Sequence, residues 1–192
     1  MKSLGRILLT VATVILFAAS VAMAGGRDQE AVSLFKRAGS SASYFSNSYG
    51  YVIFPAIGKA GFGVGAARGH GQVYERGKLV GRSTMTQLSV GFQVGAEEYS
   101  QIIFFADRNA LNDFKKGNFE FGADVNAIAI TAAASVSAGT NGTDAAASGG
   151  QSNATTAGGY QHGVAVFTIA KGGLMYQATL GGQKFSYTPL GR

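Results

Sequence analysis

The stretch from Gly50 to Gly71 reads GYVIFPAIGKAGFGVGAARGHG, with a small residue at nearly every second position of its second half. Successive side chains of a β-strand point to opposite faces. As a strand, the stretch has one face of almost bare backbone, formed by Gly61, Gly63, Gly65, Ala67, Gly69 and Gly71. The other face carries Phe62, Val64, Ala66, Arg68 and His70. Glycine weakens an isolated strand, so this pattern predicts a very close neighbour, such as a helix or the inside of a tight barrel.

Strand signals continue through most of the chain. Alternating or β-rich runs stand at residues 72–75, 79–85, 86–95, 99–106, 119–130, 163–170, 174–180 and 184–187. Arg76-Gly77-Lys78 separates the first two of these runs and predicts a hairpin turn. The run at 99–106 does not alternate, which predicts a strand covered on both faces.

Two helices are predicted beside the strands. From Arg27 to about Ala38, apolar residues recur at helical spacing, with Asp28 as a candidate N-cap. A shorter helix begins after Asp107 and ends at Gly117, and residues 39–48 form a turn or a further short helix. The predicted fold is therefore α+β, with an antiparallel, strongly curved sheet or partly closed β-barrel and one or two packed helices.

The chain is predicted to hold one domain behind a cleaved signal peptide. Residues 1–24 combine Lys2 and Arg6 with a short apolar core and the cleavage pattern Ala22-Met23-Ala24. A retained membrane anchor is the alternative interpretation. The domain then covers residues 25–192, with a flexible loop rich in Ala, Ser and Gly at 131–159. A Sec-type signal without a lipoprotein cysteine predicts a periplasmic or secreted protein.

Composition and motifs argue against several classes of function. The chain has no cysteine, which excludes disulfides, thiol catalysis and cysteine-based metal sites. Its two histidines, His70 and His162, do not have a metal-ligand spacing, so neither a metal nor a cofactor is expected. No Gly-x-Ser-x-Gly elbow is present, and the glycine row has a β context instead of the helix that a phosphate-binding loop opens. The mildly basic charge is weak evidence for nucleic acid, which is not an expected partner.

Five segments together resemble the SYLF-domain family, and within it the small secreted bacterial members. They are GYVIFP at 50–55, KAGFGVGAARGHG at 59–71, SVGFQVG at 89–95, FEFGADV at 119–125 and KGGLMYQATLGGQKF at 171–185. The resemblance implies a lipid-binding module, since eukaryotic relatives bind phosphoinositides at membranes and some are linked to actin. No residue of this chain is matched to an actin site.

Lipid phosphates require cationic donors, preferably beside apolar side chains that enter the membrane interface. The candidate lipid-binding residues are Lys59, Arg68, Arg76, Lys78, Arg82, Lys36 and Arg37. Taken singly, each is more simply an ordinary solvated charge. Taken together, they are the favoured head-group site. The family resemblance, supported by the signal peptide, the basic balance and the N-terminal helix, predicts a non-enzymatic protein that recognises anionic phospholipid head groups at a membrane surface of the bacterial envelope. The alternatives are a structural or protein-interaction module of the envelope and, less favoured, a hydrolase. The oligomeric state is left open.

Overall fold

A computed structural model describes residues 26–121, 127–130, 159–171 and 182–191 of the chain. The predicted signal peptide at 1–24, nearly all of the predicted loop at 131–159 and the predicted strand at 174–180 lie outside these residues. The α+β class is confirmed, since an antiparallel, strongly curled half-barrel sheet packs against helices. The helices are α1 (residues 26–37), α2 (Gly39–Ala42), α3 (Tyr44–Asn47) and α4 (Arg108–Lys115). The strands are β1 (Gly50–Glu75), β2 (Lys78–Phe105), β3 (Phe119–Glu120), β4 (Ala127–Ile130), β5 (Val164–Lys171) and β6 (Lys184–Pro189).

Two very long strands form the centre of the sheet. β1 and β2 pair antiparallel along almost their whole lengths, and Arg76 and Gly77 connect them. The positive φ angles of these two residues, 48° and 76°, match the type I′ turn whose twist suits a hairpin. The hairpin prediction is correct, but the predicted division into several shorter strands is wrong. Bulges such as the one between Phe62 and Val64 bend the strands without ending them.

The long β1–β2 ribbon is bent double, so the sheet forms two layers. The first layer contains residues 50–58 of β1 and 98–105 of β2, with β5 and β4 beyond them. The second layer contains residues 64–75 of β1 and 78–88 of β2, with β6 and β3 beyond them. All described strand pairs are antiparallel except β4–β5, which is parallel. The predicted strand at 119–130 is therefore divided, because β3 and β4 belong to different layers.

The close neighbour of the glycine row is the first half of the same strand. A Cβ atom on Gly71 would lie 2.6 Å from the Ile53 carbonyl oxygen, and one on Gly69 would lie 2.6 Å from Ile57 Cγ1. Both distances are too short for a real side chain. The predicted close approach is therefore correct at these positions. At these two positions the close neighbour is another part of β1 inside the half-barrel and not a helix.

The main core fills the space between the two layers. It includes Val52, Phe54 and Ile103 from the first layer and Val73, Met85 and Phe185 from the second. Helix α4 closes this core with Leu111 and Phe114. The predicted cap of this helix is confirmed, because Asp107 Oδ1 accepts a hydrogen bond from the Ala110 amide at 3.0 Å. Gly117, with φ at 79°, follows the end of the helix.

A second apolar cluster covers the outside of the first layer. Ala31 and Phe35 of α1, with Ala38 just after it, pack there against residues such as Ile102 and Phe167, as the helical spacing predicts. This explains the lack of alternation at 99–106, where residues 101–105 are all buried. The prediction of Asp28 as the N-cap is wrong, because the helix already includes residue 26. Within the described part of the chain, no helix combines the length and apolar character that a membrane span requires.

Candidate functional site

The outward side of the second layer is a broad exposed surface, here called the outer face. It consists of alternate residues of three neighbouring strands, whose side chains point away from the main core. They are Val64, Ala66, Arg68 and His70 of β1, Arg82, Thr84, Thr86 and Leu88 of β2, and Lys184, Ser186 and Thr188 of β6. The exposed Arg68 thus shares a strand face with Val64, as the two-residue period predicts.

The end of the outer face nearest the bend is apolar. Ala66 pairs with Leu88 in the register, and Val64 lies two residues further along β1. Val64 is 62% exposed and Leu88 is 79% exposed. Single exposed apolar residues are ordinary, but two on adjoining strands beside a paired alanine make a continuous patch. Val64, Ala66 and Leu88 are called the apolar tip below.

A row of charged and hydroxyl side chains lies next to the apolar tip. Arg68 pairs with Thr86, Thr86 with Lys184, and Lys184 with Glu120 of β3. Neighbouring strands are about 4.8 Å apart, so the Arg68 and Lys184 backbones are separated by about 10 Å. Lys184 Nζ lies 3.6 Å from Glu120 Oε2 in an exposed ion pair, whose attraction water weakens. These four residues form the charged row.

A shallow groove of about 430 Å³ lies beside the charged row. Its lining includes Thr84, Thr86, Asn118, Glu120, Lys184 and Ser186. His70 Nδ1 is 3.2 Å from Thr84 Oγ1 at the edge of the same surface. The groove therefore offers hydroxyl, amide, carboxylate and ammonium groups for a polar ligand.

Helix α1 reaches the far end of the outer face through Asp28. Burial raises the pKa of Asp28 to about 6, and the positive charges of Arg27 and Arg82 oppose that rise. Asp28 also contributes to a raised pKa of Tyr74, after the larger effect of burial. The Tyr74 hydroxyl donates to Gln72 Oε1 at 2.7 Å. The charge of Arg82 is therefore partly balanced by the carboxyl group of α1.

Comparison with known proteins bears on this architecture. The family model Ysc84, described as "Las17-binding protein actin regulator", matches residues 86–188. The chain belongs to the SYLF (Ysc84) family. The match covers more than half of the chain, and it confirms the family predicted from the five sequence segments. SYLF domains are known for binding lipids or actin regulators. No curated protein matches the chain.

The SYLF match begins inside β2 and ends inside β6, and it includes Leu88 and Lys184. The glycine row of β1 precedes the matched segment. β1 nevertheless pairs with β2 from end to end, so both strands belong to one folded unit.

The structure distributes the seven predicted cations over several surfaces of the SYLF domain. Arg68 and Arg82 share the outer face, while Lys59 is buried. Arg76 and Lys78 flank the hairpin turn at the opposite end of the second layer. Lys36 and Arg37 belong to α1, which covers the first layer. Of the seven, Arg68 and Arg82 are the two that share the outer face with the apolar tip.

Lys184 was absent from the predicted set, although it lies in the same row as Arg68. Its own strand contained a usable signal, because Lys184, Ser186 and Thr188 alternate with Phe185 and Tyr187. The sequence could not show that β6 pairs with β2, since about a hundred residues separate Thr86 from Lys184. Pairing between segments so far apart in sequence is not indicated by the residues of either strand.

The outer face offers exposed polar groups that can bind a ligand. No group of three or more His, Cys, Asp or Glu side chains that could hold a metal ion occurs among the described residues. The charged row presents exposed donors and acceptors on three paired strands and β3. Such a surface suits recognition of phosphate and hydroxyl groups.

Proposed function

We propose that this SYLF protein is a non-enzymatic lipid-binding protein of the bacterial cell envelope, which docks on membranes that contain anionic phospholipid. The outer face is the proposed contact surface. The observation that carries the proposal is the apolar tip placed directly beside Arg68 and Lys184. The lipid binding known for the SYLF family supports it.

The distance between the apolar tip and the cations of the outer face matches the distance between the acyl-chain boundary and the phosphates of a membrane. Arg68 follows Ala66 by two residues, which is about 7 Å along a strand. Apolar side chains of interfacial proteins enter about 5–10 Å into the boundary between head groups and acyl chains. When Val64 and Leu88 reach that boundary, Arg68 and Lys184 lie at the level of the lipid phosphates. Guanidinium and ammonium groups form charge-assisted hydrogen bonds with phosphate oxygens there.

The proposed location rests on the N-terminal sequence. A positively charged start, a short apolar core and the Ala22-Met23-Ala24 pattern support export by a Sec-type signal. Export would place the domain in the periplasm or outside the cell, where the surfaces of envelope membranes are accessible. The mildly basic balance of the chain favours anionic surfaces.

Vesicle co-sedimentation tests the proposal directly. The protein used is residues 25–192, because the apolar segment at 1–24 would itself partition into lipid. We expect binding to phosphatidylcholine vesicles that contain phosphatidylglycerol, a decrease at high salt, and little binding to phosphatidylcholine alone. Absence of binding to anionic vesicles at low salt would reject the lipid function and favour a module that binds envelope proteins.

Two matched pairs of variants locate the membrane contact. Replacing Arg68 and Lys184 together by serine should weaken binding about 30-fold, since each cation near an anionic surface contributes about 1 kcal/mol. The same change at Lys36 and Arg37, which lie on α1, is the control and should have little effect. Leu88→Ser should also weaken binding, whereas Leu190→Ser, at an exposed leucine away from the tip, should not. If each control variant lost as much vesicle binding as its outer-face counterpart, the outer face would not be the membrane contact surface.

A further inference from the structure

A second group of cations surrounds the hairpin turn, at the end of the ribbon opposite the apolar tip. This turn-end cluster comprises Tyr49, Glu75, Arg76, Lys78, Arg108 and Lys115. Tyr49 connects its members. The Tyr49 carbonyl accepts the Arg76 amide at 3.0 Å, and its hydroxyl donates to Glu75 Oε1 at 2.9 Å. Arg108 Nε donates to the same hydroxyl at 3.0 Å.

The acidic groups near the cluster already have partners. Glu75 forms an ion pair with Lys115, and the hydrogen bonds from Lys115 and Tyr49 lower the Glu75 pKa. Asp107 caps α4, and Asp113 forms an ion pair with Lys116 at 2.7 Å. In the described ranges, Arg76, Lys78 and Arg108 form no ion pair with an acidic side chain. The Glu75 charge also acts on Arg108, so the compensation is shared within the cluster. With four cations, Arg76, Lys78, Arg108 and Lys115, against the one carboxylate of Glu75, the cluster keeps a net charge of +3.

Two of these cations are held in place by one aromatic ring. The guanidinium carbon of Arg76 lies 5.1 Å from the centre of the Tyr49 ring, and that of Arg108 lies 5.8 Å from it. The two guanidinium groups are therefore within about 11 Å of each other. Contact with the ring reduces the conformational freedom that each arginine would lose on binding. Their remaining N–H groups can accept planar oxyanions in a bidentate manner.

The backbone of Arg76 provides an independent indication. Its φ of 48° lies in the left-handed region, at a type I′ turn position where Asn, Asp and Gly are preferred. An arginine there costs conformational energy that those residues would avoid. Strain of this kind is concentrated at functional sites, so it supports a functional role for the Arg76 side chain.

We propose that the turn-end cluster is a docking site for an acidic segment of a partner protein. Arginine and tyrosine are enriched in protein interfaces, and apolar side chains accompany them there. Leu79 and Leu190, 40% and 38% exposed, lie next to the turn on β2 and after β6. Arg76, Lys78 and Arg108 are all exposed, which suits binding of an extended segment with paired carboxylates. The observations for this docking site do not depend on the proposed membrane binding. The direction in which the site faces on a membrane does depend on that proposal.

The apolar tip and the turn-end cluster lie at opposite ends of the β1–β2 ribbon. About twelve residues of β1 lie between Val64 and Arg76, which corresponds to at most about 40 Å of strand. A domain docked by its apolar tip would therefore present the turn-end cluster to the aqueous side. The protein could then hold an acidic partner close to the membrane surface.

Binding of a fluorescent octaglutamate peptide to residues 25–192, followed by anisotropy, tests this site. Arg76→Asn combined with Arg108→Gln should weaken binding more than tenfold. The asparagine suits the turn, so the variant should keep its circular dichroism spectrum and a melting temperature at or above that of the parent. Arg68→Asn combined with Lys184→Gln removes the same charge from the outer face and should weaken binding less than threefold.

Three results would overturn the proposal. Equal losses in the two double variants would mean that the peptide responds only to net charge. Full competition by inorganic phosphate at the concentration of the peptide would indicate a small-anion site. Loss of vesicle binding in the turn variant, with peptide binding unchanged, would assign the cluster to the membrane instead. A failure of the parent to bind anionic vesicles would reject the lipid function but leave the peptide result interpretable.

Discussion

At the scale of single residues, missing side chains determine how tightly the ribbon bends. Gly61 lies against the backbone of Gly65, and Gly71 lies against the carbonyl of Ile53. A carbonyl oxygen in a paired strand cannot move aside as a flexible side chain can. The two halves of β1 therefore approach each other only where no Cβ intervenes.

Gly71→Ala should destabilise the domain by about 2 kcal/mol, the typical cost of excess volume in a packed core. The new methyl group would lie 2.6 Å from the Ile53 oxygen and 2.7 Å from the Phe54 ring. Urea unfolding of residues 25–192 measures this change. Gly58→Ala is the matched control, because a Cβ atom there meets nothing within 4 Å. If the two alanine variants were equally stable, the close packing of β1 on itself would be disproved.

Buried amides provide a polar link between the layers. Gln101 Nε2 donates to Gln183 Oε1 at 2.9 Å, and Gln183 Nε2 lies 3.3 Å from the Tyr99 hydroxyl and 3.5 Å from Gln87 Oε1. Gln101 and Gln183 are fully buried. The network thus joins β2 before and after the bend to the start of β6. Hydrogen-bonded amides in a low-dielectric interior require specific geometry, so they help to select one register.

At the scale of secondary structure elements, α1 is attached to both layers. Its apolar residues cover the first layer, while Asp28 is buried near Tyr74 and Arg82 of the second. The pKa of Asp28 is about 6 in the folded protein against an ordinary value of 3.8. Folding therefore favours the protonated carboxyl group. The stability contributed by Asp28 is fully present below pH 3.8 and is lost as the pH rises through about 6.

Asp28→Asn should make the domain more stable at neutral pH, because the amide resembles the protonated carboxyl group. We expect the variant to exceed the parent in free energy of unfolding by about 1–2 kcal/mol near neutrality, and the two to converge near pH 4. Urea unfolding at a series of pH values measures the difference. Glu30→Gln, an exposed change on the same helix, should show no such trend. A difference between Asp28→Asn and the parent that did not vary with pH would contradict the assigned pKa.

At the scale of the whole molecule, the folded ribbon has two unlike ends. The bend carries exposed Val64 and Leu88, and the turn carries Arg76, Lys78 and Arg108. The proposed functions assign lipid to the first end and an acidic protein segment to the second. The orientation of the bound protein is therefore a property that can be measured.

Site-specific fluorescence should reveal that orientation, since the chain contains no native cysteine. An environment-sensitive dye on Leu88→Cys should shift to shorter wavelength when anionic vesicles are added. The same dye on Lys78→Cys should remain in water and show no shift. Equal shifts at both positions would mean that the protein lies flat on the membrane, and a shift only at position 78 would reverse the proposed orientation.

Features controlled by neighbours in sequence were predictable, whereas long-range pairing was not. The hairpin at Arg76-Gly77, the Asp107 cap and the two-residue period that exposes Arg68 depend on a few adjacent residues, and all are confirmed. The separation of Lys36 and Lys59 from Arg68 depends on which faces of the elements become covered. Charge content alone gives no information about that arrangement.

The α+β class, the SYLF family, the alternating faces of the glycine strand and its need for a close neighbour all follow from the amino-acid sequence. Period, turn chemistry and the absence of Cβ atoms are local properties, and local sterics are sufficient to express them. The folded chain was needed to show that β1 packs on itself, that Lys184 joins the row of Arg68, and that Tyr49 contacts two arginines at the opposite end. These arrangements result from contacts between distant segments, whose free energy appears only when the whole core is assembled.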